Sequence, residues 1–188
     1  MHNRYESECF VFKSYSDKES SRTYILFSKE LGLIYAKAQG IELPASKLRA
    51  SLEAPAKSKV SLVRGKEIWR IVGAEKVDSL WHSLRNNREA LMLMSRLFSL
   101  TKRMLPKEER HEEIYSIMED CLEALSRKNE VDDYEVIELL GVSRILHHLG
   151  YFILKREYES FFGSSLISLK TEQVLKSRRQ LVFDINQI

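Results

Sequence analysis

A change of hydrophobic period near residue 78 constrains this 188-residue chain more than any other feature. Before it, apolar side chains come in short runs rich in β-branched and aromatic residues. These are Cys9-Phe10-Val11-Phe12, Tyr24-Ile25-Leu26-Phe27, Leu33-Ile34-Tyr35-Ala36, Val60-Ser61-Leu62-Val63 and Ile68-Trp69-Arg70-Ile71-Val72. Each is four or five residues long and is bounded by polar or glycine-bearing turns such as Glu30-Leu31-Gly32 and Arg64-Gly65-Lys66, which reads as strands. Five short strands in about 75 residues predict a small closed or nearly closed barrel rather than an open sheet. The connection from Gly40 to Ala56, with Pro44 and Pro55 near its ends, is the longest in this half and a natural place for function.

After Asp78 the spacing becomes helical. Ile114, Met118, Cys121, Leu122 and Leu125 mark one buried helix face. The run Ala90 to Met94, continuing to Leu97, Phe98 and Leu100, is apolar nearly all round and predicts a central, covered helix. Val131–Leu149 and Thr171–Ile188 predict two more, with Gly141 and Gly150 punctuating the first of them. The expected class is α+β, multidomain, with a β-barrel over residues 1–77 and an all-α helical bundle over residues 78–188.

Charge divides along similar lines. The total is only +3, too small to identify a nucleic-acid partner, but Lys37 to Arg70 holds eight basic and three acidic residues. Met104 to Leu140 holds twelve acidic and four basic ones. No apolar run approaches the ~20 residues that span a bilayer, and the N-terminus has no apolar signal core, so a cytoplasmic location is expected. Two cysteines without paired spacing, Cys9 and Cys121, offer neither a disulfide framework nor a zinc site and read as small core residues.

The tools of an enzyme are missing from the sequence. The seven glycines form neither a phosphate loop nor a dinucleotide turn, and there is no nucleophile elbow or HExxH pair. His2, His82, His111, His147 and His148 read as surface or boundary residues; the last two are adjacent and point about 100° apart on a helix. Asp132-Asp133 and the acidic run from Glu108 to Glu113 fit solvated helix starts better than metal ligands. No catalytic residue, metal or cofactor is expected.

Basic residues interleaved with aromatic ones on a barrel suit single-stranded nucleic acid, cations tracking phosphates while rings stack on bases. The candidate set is Lys13, Arg22, Lys37, Lys47, Arg49, Arg64, Lys66 and Arg70, with Tyr35 and Trp69 as stacking residues. Core roles for Tyr35 and Trp69 stay open, as do an RNA-binding module and a protein-interaction adaptor.

The segments Phe10 to Tyr15 and Ser21 to Ile34 resemble the opening of the RecO family of recombination and repair mediators. So do Ala36 to Gly40, Ser46 to Arg49 and Val60 to Ile71. In the helical half the resemblance continues through Arg96-Leu97-Phe98, Leu105-Pro106, Leu139-Leu140 and His148 to Tyr151. It implies an OB-fold barrel with a helical domain and a non-enzymatic role in DNA repair and recombination. That role comprises binding single- and double-stranded DNA, annealing strands, and loading RecA on DNA coated by single-strand-binding protein. Implied partners are RecR and the acidic C-terminal tail of single-strand-binding protein, and the implied place is the nucleoid. Two departures stand out: no cysteine follows Cys121, where many members carry a zinc module, and the connection after Gly40 opens with Ile41-Glu42-Leu43-Pro44 instead of basic residues. A reduced helical domain is also expected.

The acidic tail would be repelled by Met104 to Leu140, so its docking is expected on the later basic stretch. Arg144, Lys155 and Arg156, with Arg178 and Arg179, are the candidate cations there. Tyr151 and Phe152, with Phe161 and Phe162, are the candidate apolar pocket.

Overall fold

The computed structural model describes residues 3–17, 20–44, 46–77, 84, 86–127 and 131–187; His2, Asp78, His82 and Ile188 lie outside them. An N-terminal five-stranded sheet is followed by helices, as the change of period predicts. The strands are longer than the apolar runs: β1 Arg4–Ser16, β2 Arg22–Ser28, β3 Gly32–Ala38, β4 Ala56–Arg64 and β5 Trp69–Lys76. Ladder hydrogen bonds extend into polar flanks that carry no apolar signal. The sheet closes as a barrel in the order β1-β2-β3-β5-β4, with β4 also pairing β1. All pairings are antiparallel except β3 with β5, which meet in parallel at Ala36↔Trp69 and Lys37↔Arg70.

Strand alternation sorts the side chains. Cys9, Val11, Tyr24, Leu26, Ile34, Ala36, Val60, Leu62, Trp69 and Ile71 point inward and form the barrel core. Their neighbours Phe10, Phe27 and Leu33 are buried as well, so this part of the outer surface is covered. The cover includes a segment from the far side of the period change. The chain divides into two compact units, one of Met1–His82 with Met104–Tyr115 and one of Ser83–Arg103 with Ser116–Ile188. In the first unit the Tyr115 ring lies 4.9 Å from Phe10 and 5.7 Å from Phe27, and the Glu108 amide donates to the Leu33 carbonyl at 2.9 Å.

Gly32 makes this return possible. Its φ is +68°, which L side chains rarely adopt, and a β-carbon there would sit 1.7 Å from the Glu109 carbonyl oxygen. Only a residue without a β-carbon allows both the turn and the approach.

The second unit contains most of α1 (Arg88–Met104), α2 (Glu112–Arg127) after its first turn, and α3 (Val131–His148). A short 3-10 turn over Arg156–Tyr158, α4 (Glu159–Phe162) and α5 (Thr171–Ile185) follow. Asn87 caps α1, its side-chain oxygen accepting from the Ala90 amide at 3.1 Å. The expectation that α1 is covered all round is corrected: Ala90, Leu93, Met94, Leu97, Phe98 and Thr101 are buried, but Met92 is half exposed. Nor does Gly141 punctuate α3. It lies inside the helix where a β-carbon would come within 2.9 Å of Cys121 Sγ and 3.4 Å of Leu97, so it sets a close helix approach.

Both cysteines are core residues, and burial pushes each thiol up to about 12 from an ordinary 9. The unfolded chain therefore ionises first, and stability should fall as pH rises from 9 toward 12. At pH 8 a thiol reagent should leave the folded protein unmodified and label two thiols per chain in denaturant. A Gly32→Ala variant should lose about 3 kcal/mol or more, read by urea denaturation, since both strain and a backbone clash oppose it.

Candidate nucleic-acid interface

Inward Ala36 and Ala38 leave Tyr35 and Lys37 on the outside of β3, and inward Trp69 and Ile71 leave Arg70 on the outside of β5. Register then places residues from all five strands side by side. Tyr15 opposes Thr23, Thr23 opposes Lys37, and Lys37 opposes Arg70, which in turn opposes Val63 on β4. This is one continuous row across the outer surface. Tyr15 is 41% exposed, and the Lys13 ammonium lies 5.3 Å from its ring centroid.

The predicted cations fall into two groups. Lys13, Lys47, Arg49, Lys66 and Arg70 are exposed and, among the described residues, meet no carboxylate. Arg22, Lys37 and Arg64 are paired, to Glu42 at 3.9 Å, Asp17 at 2.7 Å and Glu108 at 2.6 Å. Such partly exposed pairs are worth about 0–1 kcal/mol, so a phosphate can replace the carboxylate at small cost. At the β4–β5 turn, Arg64, Lys66 and Arg70 line an open cleft of about 550 Å³. Arg22 and Arg49 line another, between the strand ends and the β3–β4 connection.

The expected stacking residues are placed differently from the cations. Trp69 is only 6% exposed and belongs to the barrel core. The Tyr5 ring stands perpendicular to it with centroids 5.3 Å apart, and the Arg64 guanidinium lies 4.9 Å from its centroid, so the ring is covered. Tyr35 is half-buried, with the Lys107 ammonium 4.5 Å from its ring centroid. The exposed ring in the row is Tyr15, which the candidate set misses. Its signal was readable in Lys13-Ser14-Tyr15, a polar alternation following an apolar run. Lys107 had no such signal, since it lies within an acidic stretch and reaches the barrel only through the return of Met104–Tyr115. Among the described residues no group of His, Cys, Asp and Glu could hold a metal ion.

A family model described as the C-terminal part of recombination protein O matches residues 85–154. A protein of Pelotomaculum thermopropionicum named DNA repair protein RecO is 26% identical over 170 residues, 86% of this chain and 65% of that protein. Proteins of the same name from Dehalococcoides mccartyi and Heliobacterium modesticaldum are 26% identical over 142 residues and 33% identical over 75. These alignments cover 74% and 40% of this chain and 56% and 28% of the relatives. The chain is similar over most of its length to proteins named DNA repair protein RecO. It spans between about half and two thirds of the first relatives it matches.

The matched region includes Arg144, Tyr151 and Phe152 of the expected tail-docking residues, with Lys155 and Arg156 following it, and here the structure corrects the expectation. Arg144 is 8% exposed and pairs with Asp120 at 2.8 Å; its guanidinium also donates to the Phe161 and Ser164 carbonyls. It pins the loop after α4 to α2 and α3. Phe152 is buried, stacked on Tyr158 and Phe162 with centroids 6.4 and 6.0 Å away, and Phe161 is buried too. These aromatics fill the core instead of lining a pocket. Lys155 is half exposed and pairs with Asp184 at 2.6 Å, while Arg156 and Tyr151 are exposed.

Arg144→Ala should therefore destabilise this unit by about 3–5 kcal/mol, because it strands a partly buried carboxylate and two carbonyls. Arg156→Ala should stay within about 0.5 kcal/mol of wild type. Thermal denaturation of both variants checks the contrast.

Proposed function

We propose that this chain is a RecO-type, non-catalytic DNA-binding mediator of repair and recombination, and that its barrel, an OB-type module, holds single-stranded DNA along the row Tyr15, Thr23, Lys37 and Arg70. The carrying observation is the β3–β5 register, which sets Lys37 beside Arg70 and continues through Thr23 to the exposed Tyr15 ring. The strand order, in which β1 closes on β4 and β3 runs parallel to β5, supports the OB assignment. Relatives named DNA repair protein support the biological role. Cations at this spacing track phosphates and an exposed ring stacks on a base, which gives affinity without sequence readout.

Lys66 and Arg64 extend the cationic track to the β4–β5 turn, and Lys47 and Arg49 extend it to the β3–β4 connection. The same track accepts double-stranded DNA, and two strands held near it are placed to anneal. RecA loading, contact with RecR and docking of the acidic tail of single-strand-binding protein belong to this reading. For the tail, Lys155, Arg156 and Tyr151 are the remaining surface candidates.

Fluorescence anisotropy with a labelled thymidine oligomer over a salt series tests the proposal. Wild type should lose affinity steeply with salt. A Lys37→Ala/Arg70→Ala double variant should lower the slope of log affinity against log salt by about 1.4, two contacts at ~0.7 each. Tyr15→Ala should cost about 1–3 kcal/mol with the slope unchanged. Folded variants that match wild type in affinity and slope would remove this site. Affinity that ignores salt would favour a protein-interaction adaptor, and preference for an RNA oligomer would favour an RNA module.

Glu108→Gln should act in the opposite direction. It releases Arg64 from its 2.6 Å partner, so binding should tighten at low salt and the slope should steepen by about 0.7. The same anisotropy titration reads this gain.

A further inference from the structure

The end of the barrel holds a second feature that the row does not use. The β3–β4 connection folds across it and leaves a cleft of about 790 Å³, within the usual range of small-ligand sites, and barrel mouths are a common place for them. Tyr24, Ile41 and Leu52, all part of the barrel core, form its floor. Arg22, Glu42, Arg49 and Glu53 line it as well. The Tyr24 phenol bonds to the Ser14 side chain and is pushed up by burial, so it stays a neutral hydrogen-bonding group.

The two guanidiniums are incompletely matched to carboxylates. Arg22 meets Glu42 only at 3.9 Å, and its Nε is enclosed without a hydrogen-bond partner. Arg49 has no carboxylate partner among the described residues. Two cations and two carboxylates sum to zero charge, which suits a neutral ligand carrying both donors and acceptors better than it suits a phosphate. A bound strand would pass close by. Arg22 and Ala38 oppose each other in the β2–β3 ladder, one residue along from the Thr23↔Lys37 step of the row.

The geometry points to a pocket that takes one unstacked base of a strand lying on the row, with guanine the preferred base. In a single strand the Watson–Crick edge of a base is free to be read. Guanine presents N1–H and a 2-amino group to a carboxylate, and O6 and N7 to a guanidinium. Adenine and cytosine each offer a single amino group, and thymine offers none. This pocket rests on the strand-binding reading above, and the experiment separates the two.

Four labelled oligomers of equal length, all thymidine or thymidine with one central dG, dA or dC, are titrated by anisotropy at one salt concentration. One dG should tighten binding about tenfold over all-thymidine, the gain expected of one good paired contact, with dA and dC giving less. A folded Glu42→Ala/Glu53→Ala variant should lose that preference while still binding all-thymidine, at wild-type affinity or tighter because Arg22 loses its carboxylate partner. Equal affinity for all four oligomers, with all-thymidine still bound, overturns the pocket and leaves strand binding standing. A dG preference that survives in the double variant overturns it too. Failure of every oligomer to bind at low salt removes the strand-binding reading and the pocket with it.

Discussion

The contact on which the first unit depends is the approach of the Glu109 backbone to Gly32. A β-carbon at that point would lie 1.7 Å from the carbonyl oxygen, so the segment returns to the barrel only because the residue is glycine. Everything carried by the return follows from it. Tyr115 covers Phe10 and Phe27, Lys107 lies over Tyr35, and Glu108 reaches Arg64. Glu108 itself sits at φ +61°, a strained conformation for a residue with a β-carbon, held by the hydrogen bond its amide N–H donates to the Leu33 carbonyl and by its ion pair with Arg64.

That return also redistributes charge. Read linearly, the chain has a basic first half and an acidic stretch from Met104 onward. In three dimensions Glu108 to Glu113 belong to the same compact unit as the barrel, together with Lys107. The barrel surface is consequently less uniformly basic than its own strands suggest. Its cations without a carboxylate partner among the described residues, Lys13, Lys47, Arg49, Lys66 and Arg70, count for more than those already paired, because a phosphate meeting them displaces no carboxylate.

In the second unit, polar side chains do structural work that composition assigns to binding. Arg144 holds a carboxylate and two carbonyls, and Gly141 lets α3 approach Cys121 and Leu97. The Thr101 hydroxyl returns to the Leu97 carbonyl at 2.8 Å, which satisfies it inside the helix. A basic residue next to aromatics resembles a recognition site in one dimension. When the aromatics interdigitate, the same residue becomes the cross-brace of a core.

The change from strands to helices and the core roles of both cysteines are legible in the sequence alone. Periods of 2 and 3.6 are local properties, and burial follows from them directly. The sequence also carried the outward alternation that puts Lys37 and Arg70 on the surface. Only the tertiary structure decided which of those outward residues became neighbours, because the β3–β5 register and barrel closure join positions more than thirty residues apart. It decided as well that Trp69 is core, because its burial depends on strand partners and cover that its own segment does not show. The return of Met104–Tyr115 left no local signature beyond a glycine in a turn, since a close approach is a property of two backbones and a sequence shows one at a time.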